Sequence, residues 1–426
     1  LIQGVFMILV SNATTYPIFT NYLSFDIATR SLKPNTQLLY ELPFGPAVAC
    51  FLLISAVAHF YLSTIGYRRY VENLKKGMNP VRFYEYALSS SLMIALIGML
   101  IGLWDLGALI LIFTLNATHA LNIAIQGLLQ PGDRVVTGGM EHNAVMRPLR
   151  GMEARGVQVV VAPADGAGML SPAAFAEALQ TGAKLVIVNH ASNVCGSIAP
   201  VAEIAALAHQ AGALVLVDAA QSAGVIPTDL PALGADLLAF TGHKGLQGPP
   251  GTGGLVLADT FDPAQLQPLV RGGTGSRSEY EIQPDDLPDR YESGTPNGAG
   301  IAGLGAGLKW LLERGAAVRE HELALAARLR EGLGNIPGLQ LYGPADPRQA
   351  TGVISFTLAG KRVSEIGYRL DEEFDIQSRV GLHCAPAAHR SLGTFPQGTV
   401  RLALGPTTAP EEIETVLRAV ARIAQT

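Results

Sequence analysis

The pattern of apolar residues changes character near residues 113–118, and this break limits what the chain can fold into. Before it lie two long apolar runs. Ala47–Ile65 carries His59 as its only side chain charged near neutral pH, and Leu88–Phe113 is interrupted by Trp104 and Asp105. Each approaches the roughly 20 residues that cross a bilayer as a helix. Buried helices of a soluble protein are the competing reading, but two such runs this close together are unusual in soluble chains. After residue 130 the apolar runs shorten to strand length and alternate with Ala-rich stretches. One compact domain does not accommodate both patterns, so two parts are expected.

The bulk numbers agree. The 426 residues are 49% hydrophobic and 15% charged, with the apolar excess concentrated before residue 115. A net charge of −5 provides no basic surface for nucleic acid. The three cysteines, Cys50, Cys195 and Cys384, form no C-x-x-C pair, which argues against a zinc site or a disulfide framework; scattered thiols fit a reducing compartment for the second part. The chain opens on Leu, as expected for a fragment of a longer reading frame, and its first residues have no signal-peptide organisation. The connection Tyr67–Arg82 carries five basic residues, Arg68, Arg69, Lys75, Lys76 and Arg82, whereas Ser11–Pro46 carries only Arg30 and Lys33. The positive-inside rule places residues 67–82 in the cytoplasm.

In the second part the predicted strands are Arg134–Thr137, Val157–Val161, Leu185–Asn189, Leu214–Asp218, Leu237–Thr241 and Gly254–Leu257, and the predicted helices include Thr118–Leu129, Pro172–Leu179 and Val201–Gln210. Strands separated by helices of this size form a mostly parallel sheet covered on both faces. Functional residues of such sheets gather at the carboxyl ends of the strands, where Asn193, Asp218 and Lys244 fall.

Their chemistry fits pyridoxal phosphate. Asp218 can pair with a pyridinium nitrogen, Lys244 can condense with the aldehyde, and Gln221 and Asn193 can reach the ring oxygen. His142 can stack on the ring face. The free N–H groups opening the Thr118–Leu129 helix can bind phosphate, with Thr118 adding its hydroxyl, and Thr241 and His243 flank the lysine. Singly each residue has a plainer alternative: a cap for the Asp, a surface position for the Lys, a structural role for the His. The order carries the signal: Asp-x-x-Gln, then about two dozen residues, then Gly-His-Lys before GLQGPPGTGG. Cys384 lies in RVGLHCAPAAH near His383 and His389; it is either a small buried hydrophobe or a nucleophile. Cys195, beside Asn193, reads as packing.

Two resemblances follow. YELPFGPAVACFLLISAVAHF, KKGMNPVRFYEYALSSSLMI and GLWDLGALILIF resemble the first half of a heliorhodopsin, over residues 1–112 with the likeness fading near 115. That resemblance implies an all-α transmembrane fragment in the lipid bilayer with a cytoplasmic N-terminus, and makes His59 and Glu85 remnants of a retinal pocket. From the residues alone, Glu85 is interfacial or paired inside the membrane. Nothing matches the family's last-span lysine, so retinal is not expected.

FTLNATHALN, MEHNAVMRPL, ASNVCGSIAP, VLVDAAQSAG, FTGHKGLQGPPGTGGL, RGGTGSRSEYE, YESGTPN, SRVGLHCAP and GTVRLALGP resemble class V aminotransferases, and more closely cysteine desulfurases. This implies the α/β fold type I of pyridoxal-phosphate-dependent transferases: a large cofactor domain over 113–275 and a smaller C-terminal α+β domain over 276–426. It implies that Lys244 carries the cofactor and removes the substrate's α-proton, and that His142 stacks on the ring. Ala117, Thr118, Asn193, Asp218, Gln221, Thr241 and His243 complete the cofactor site. Asn193 and Arg401 meet the substrate, L-cysteine, and Cys384, on a mobile loop, takes its sulfur. Thr274 reaches a neighbouring subunit's phosphate, which implies a homodimer. A sulfur-acceptor protein is a further implied partner, and the parent enzyme is cytoplasmic. Selenocysteine lysis is the alternative within the fold.

The family's segment before FTLNAT is replaced here by the apolar runs, and Ile112–Thr118 reads as text shared by both resemblances. A join there sets up a conflict. If Leu106–Gln130 crosses a bilayer, Thr118 cannot open a phosphate-binding helix; if those residues stay in water, the charge rule places the enzyme outside. A membrane-tethered enzyme and a non-catalytic hybrid of two truncated proteins are both open at this stage.

Overall fold

The computed structural model describes residues 8–11, 14–26, 31–68, 70, 71, 116–274, 277, 279–294 and 297–426. It divides into two compact units, Leu1–Thr114 with Gly294–Ile301, and Leu115–Ser293 with Ala302–Thr426.

The first unit departs from the expected all-α character. Strands β1 (Thr15–Asp26) and β2 (Ser31–Pro43) form an antiparallel hairpin running from the Thr15–Pro43 pair to the Asp26–Ser31 pair, with a bulge after Ile18. The reason is local: TYPIFTNYLSFD is dense in β-branched and aromatic residues, which suit an extended pleated backbone. A count of basic residues, which treated Ser11–Pro46 as a plain connection, does not register that signal. Helix α1 (Phe44–Ser63) then occupies most of the first predicted span. Among the described residues, which exclude several of its side chains, no helix is long and apolar enough to cross a membrane. His59 lies on α1; Glu85 and the run Leu88–Phe113 lie outside the described residues.

The second unit begins with helix α2 (Ala117–Leu128), followed by strands β3 (Arg134–Gly138), β4 (Gln158–Ala162), β5 (Leu185–Asn189), β6 (Leu214–Asp218), β7 (Leu237–Thr241) and β8 (Gly253–Leu257). Their spatial order is β4-β3-β5-β6-β7-β8. All neighbours are parallel except β7 and β8. Strands, helices Pro172–Ala178 and Val201–Gln210, and α2 lie within a residue or so of their predicted bounds. Alternate residues of the strands feed two cores. Val136, Val186, Val188, Val215 and Val217 pack with Phe175, Ile204 and Ala208 on one face. Val135, Leu185, Ile187, Leu216 and Leu237 pack on the other with Leu121, Ala124, Ile125 and Leu128 of α2 and with Val145 and Leu149 of helix α3 (Asn143–Glu153). Coverage of both faces is why these strands read as continuous apolar runs rather than alternating ones.

The placement of α2 decides one side of the conflict over Leu106–Gln130. Leu121, Ala124 and Ile125 are fully buried against the sheet, so residues 117–128 belong to the core of the second unit and not to a bilayer-crossing helix.

Further along the chain, strands β9 (Leu339–Tyr342), β10 (Val353–Leu358), β11 (Arg379–Gly381) and β12 (Thr399–Ala403) make an antiparallel sheet in the order β11-β12-β10-β9. Its core unites Ile354, Phe356, Val400 and Leu402 with Leu329, Leu333, Ile366, Leu370, Val420 and Ile423 of the surrounding helices.

Because Leu121 is packed on all sides, Leu121→Ala is expected to destabilise the second unit by about 2–5 kcal/mol, read as a lower urea midpoint of unfolding by circular dichroism. An unchanged midpoint would place α2 outside the core.

Candidate active site

The strand order reverses at β3 and β5: β3 leads outward to β4, and the chain then returns to the other side of β3 as β5. Ligands of parallel sheets bind at such switch points, outside the carboxyl ends of the strands. There a cavity of about 220 Å³ is lined by Asn116, Ala117, Thr118, His142, Ala144, Asn189, Asn193, Asp218, Ala220, Gln221, Thr241, His243 and Lys244. Nine residues expected from sequence therefore converge on one space. A second cavity of about 480 Å³ also includes Thr118, His142 and Ala144, and is lined in addition by Cys384, Arg147 and Arg155. Thr274 lines neither.

Asp218 ends β6 and is almost fully buried. Burial pushes its carboxyl up; the Ala220 N–H, donating to Oδ1 at 2.9 Å, and the nearby Lys244 charge pull it back. The Lys244 amine is pushed down, chiefly because protein atoms crowd it, with Arg401 and Arg379 adding repulsion and Asp218 opposing. By solvent accessibility Lys244 is nonetheless exposed. The amine stands in an open cleft walled by protein, a shape that suits a group that must meet a ligand.

His142 caps α3, and its Nδ1 accepts the Ala144 N–H at 3.0 Å. The tautomer is thereby fixed with the proton on Nε2. Desolvation, then the charges of Lys244, Arg147, Arg379 and Arg401, hold its pKa down at about 4, so the ring is neutral. Thr241 Oγ1 and His243 Nδ1 are 2.9 Å apart. The opening turn of α2 is capped by Asn116, whose Oδ1 accepts the His119 N–H; among the described residues the N–H groups of Ala117 and Thr118 have no partner.

Arg401, on β12, donates from Nη1 to the Asn193 carbonyl at 2.8 Å, and its buried Nε has no partner among the described residues. Asn193 in turn donates from Nδ2 to the His383 carbonyl at 2.7 Å, leaving its Oδ1 unpaired. The Cys384 carbonyl accepts the Asn143 N–H at 2.8 Å, so the backbone at the candidate nucleophile is tied to the start of α3. His383 and Cys384 both adopt left-handed backbone, φ 48° and 58°, a conformation costing a non-glycine residue on the order of 1 kcal/mol. Cys195 is fully buried, with Sγ 3.4 Å from Ser197 Oγ, as packing requires.

Three residues of this region carry roles that the sequence reading leaves unassigned. Arg379 places Nη2 3.9 Å from Cys384 Sγ; it was visible in SRVGLHCAP only as a flanking residue. The His383 side chain, in the same stretch, is buried beside the His389 ring, centroids 5.4 Å apart. Glu141, in MEHNAV, is fully buried below Asp218 and accepts the Asn189 N–H at 2.9 Å. Burial and then the Asp218 charge push its carboxyl up to about 8.

Residues 108–416 match the family model described as Aminotransferase class-V, and the chain belongs to that family. Within it, the similar proteins are cysteine desulfurases. A probable cysteine desulfurase of Methanothermobacter thermautotrophicus is 37% identical over 311 residues, which cover 71% of this chain and 76% of that one. Among solved structures, the cysteine desulfurase of Thermococcus onnurineus matches with a TM-score of 0.67 at 33% identity, over 73% of this chain and 78% of that one. The cysteine desulfurase CsdA of Escherichia coli matches with 0.66 at 29% identity, over the same shares. Residues 1–135 match the Heliorhodopsin family model. The two family matches overlap at residues 108–135, the stretch that contains α2.

The buried Glu141 carboxyl sets a pH dependence of stability. A carboxyl whose pKa rises on folding, here from about 4.5 to about 8, binds more protons in the folded than in the unfolded chain between those values. Its contribution is full below about pH 4.5 and is lost as pH climbs through 8, by a few kcal/mol at most, since one pKa unit is worth about 1.4 kcal/mol. Glu141→Gln is expected to remove this alkaline decline, measured as thermal midpoint against pH from 5 to 9. An identical slope in the variant would assign the decline to another group.

Proposed function

We propose that the second unit is a pyridoxal-phosphate-dependent cysteine desulfurase, taking sulfur from L-cysteine onto Cys384 and leaving L-alanine. The observation that carries this reading is the adjacency of two cavities: one lined by Asp218, Gln221, His142 and Lys244, the other by Cys384, with His142 and Thr118 common to both.

The residues present fit the cofactor. The unpaired N–H groups of Ala117 and Thr118, with the hydroxyls of Thr118 and Thr241 and with His243, suit a phosphate at a helix start. Asp218 suits a protonated ring nitrogen, and Gln221 and Asn193 line the same space. The neutral ring of His142 suits stacking. When bound, pyridoxal phosphate supplies an electron sink that makes the substrate's α-proton removable.

The remaining chemistry falls to the protein. Arg401 lines neither cavity but is tied through Nη1 to the carbonyl of Asn193, which lines the inner one; a guanidinium there suits a substrate carboxylate held by charge-assisted hydrogen bonds. Lys244, its ammonium form disfavoured by crowding and by two arginines, serves as the base that accepts the α-proton. The Cys384 thiolate, with the Arg379 guanidinium beside it, forms a bond to the substrate sulfur as the carbon–sulfur bond breaks. The electron pair of the broken bond leaves with carbon, which takes a proton, and Cys384 keeps the sulfur as a persulfide. An acceptor thiol on another protein is the natural destination of that sulfur. Thr274, away from both cavities, is read as a contact to the phosphate of a second subunit in a homodimer. For the first unit we read the heliorhodopsin-like stretch as a lipid-bilayer anchor, with no retinal chemistry of its own.

In the full chain supplied with pyridoxal phosphate, Cys384→Ala is expected to lower sulfide release from L-cysteine by at least about a thousandfold while the bound cofactor's absorbance persists. Unchanged turnover would sink the nucleophile assignment. Lys244→Ala is expected to leave no borohydride-trappable cofactor on the chain; trapping at wild-type level would remove Lys244 from its role.

A further inference from the structure

Cys384 and the residue before it share an unusual backbone. His383 and Cys384 are successive non-glycine residues in the left-handed region, at φ 48° and 58°. Such a pair persists only where surrounding contacts impose it. Two of those contacts are backbone ties already described, the Asn193 amide on the His383 carbonyl and the Asn143 N–H on the Cys384 carbonyl. The third is the His383 side chain, 4% exposed, whose Nε2 lies 3.0 Å from Thr399 Oγ1 on β12.

The hydrogen in that contact can be placed by counting donors. Ser355 Oγ donates to the Val194 carbonyl, and Thr399 Oγ1 donates to Ser355 Oγ at 3.2 Å. A threonine hydroxyl has one proton, so Thr399 has none left for the histidine, and His383 Nε2 must be the donor. Nδ1 is then the bare nitrogen, and it has no partner among the described residues. The ring is oriented by Nε2 alone.

We propose that His383 is a positioning residue for Cys384, its Nε2–H anchored on Thr399 so that the left-handed step is held and the thiol stays at the outer cavity beside Arg379. This rests on the desulfurase reading for its use in catalysis, but the anchoring is a property of the chain alone. It also fixes which replacement can stand in for the histidine. A glutamine amide reaches the Nε2 position and can donate to Thr399. An asparagine amide reaches only the Nδ1 position, where nothing accepts.

The test compares His383→Gln, His383→Asn and Thr399→Val in the full chain, with and without pyridoxal phosphate. Two rates are read: iodoacetamide modification of Cys384, mapped by peptide mass, and sulfide release from L-cysteine. Buried Cys195 serves as the internal control for unfolding. His383→Asn and Thr399→Val are expected to speed Cys384 modification about fivefold, the factor one lost hydrogen bond gives. They are expected to lower kcat by a similar factor with little change in KM. His383→Gln should stay within about twofold of the parent in both rates. Cys195 should remain unmodified throughout. Equal behaviour of the Gln and Asn variants overturns the proposal, because ring volume rather than the donor would then matter. So does a Thr399→Val chain whose Cys384 reacts at the parent rate. If His383→Asn exposes Cys195, the Gln and Thr399→Val chains decide alone. Failure of the desulfurase reading shows separately, as sulfide release that survives Cys384→Ala.

Discussion

The arrangement of the second unit turns on a carboxylate kept in the dark. Asp218 stands at the end of β6 with 3% of its surface exposed, where an unpaired charge is expensive. It is tolerated because the strand end supplies an amide from Ala220 and because Lys244 stands near enough to favour the charged form. The same crowding disfavours the ammonium of Lys244. Each of the two draws the other back toward its ordinary protonation balance, against the effect of burial, and a bound cationic ring would find a carboxylate ready for it. Glu141, buried below with its pKa pushed up to about 8, completes the arrangement. Two adjacent buried carboxyls do not both ionise readily, so a neutral Glu141 leaves the charge on Asp218.

Much of this was legible in the sequence because parallel strands buried on both faces are short, apolar and continuous. LVIVN, LVLVD and LLAFT could be bounded to the residue, and the chemistry-bearing residues follow directly after such runs. What could not be read was anything set by contacts across the fold. Arg379 meets Cys384, Arg401 meets Asn193 across 208 residues, and Asn193 meets His383 across 190. No local pattern announces such pairs. The tie from the Asn143 N–H to the Cys384 carbonyl was hidden for the same reason, since it joins distant points of the chain. In the first unit the miss was of another kind. The hairpin Thr15–Pro43 had a visible β-forming composition, but the charge-counting argument treated it as a connection between spans.

The overlap of the two family matches at residues 108–135 falls on a segment that cannot serve both architectures at once. In the structure α2 buries Leu121, Ala124, Ile125 and Leu128 against β-strand residues Val135, Ile187 and Leu216, and the same helix opens with Ala117 and Thr118 at the inner cavity. A helix with one face in a core and its first turn lining a polar cavity is not a lipid-facing span. Apolar composition alone does not distinguish the two fates. The distinguishing features are the Asn116 cap and the strand that starts six residues after the helix ends.

That local logic extends to the position of the nucleophile. Through β11 and β12 the small C-terminal sheet delivers Arg379 and Arg401, and through the turn after β11 His383 and Cys384. Arg401, His383 and Cys384 are each referenced to the large sheet by a hydrogen bond to the loop after β5 or the start of α3, and Arg379 reaches them through Cys384. A thiol is a weak hydrogen-bonding group and cannot orient itself, so its place must come from its backbone. The left-handed pair at His383 and Cys384 stores strain that those ties maintain. Loosening one of them would therefore move the sulfur before it disturbed either core.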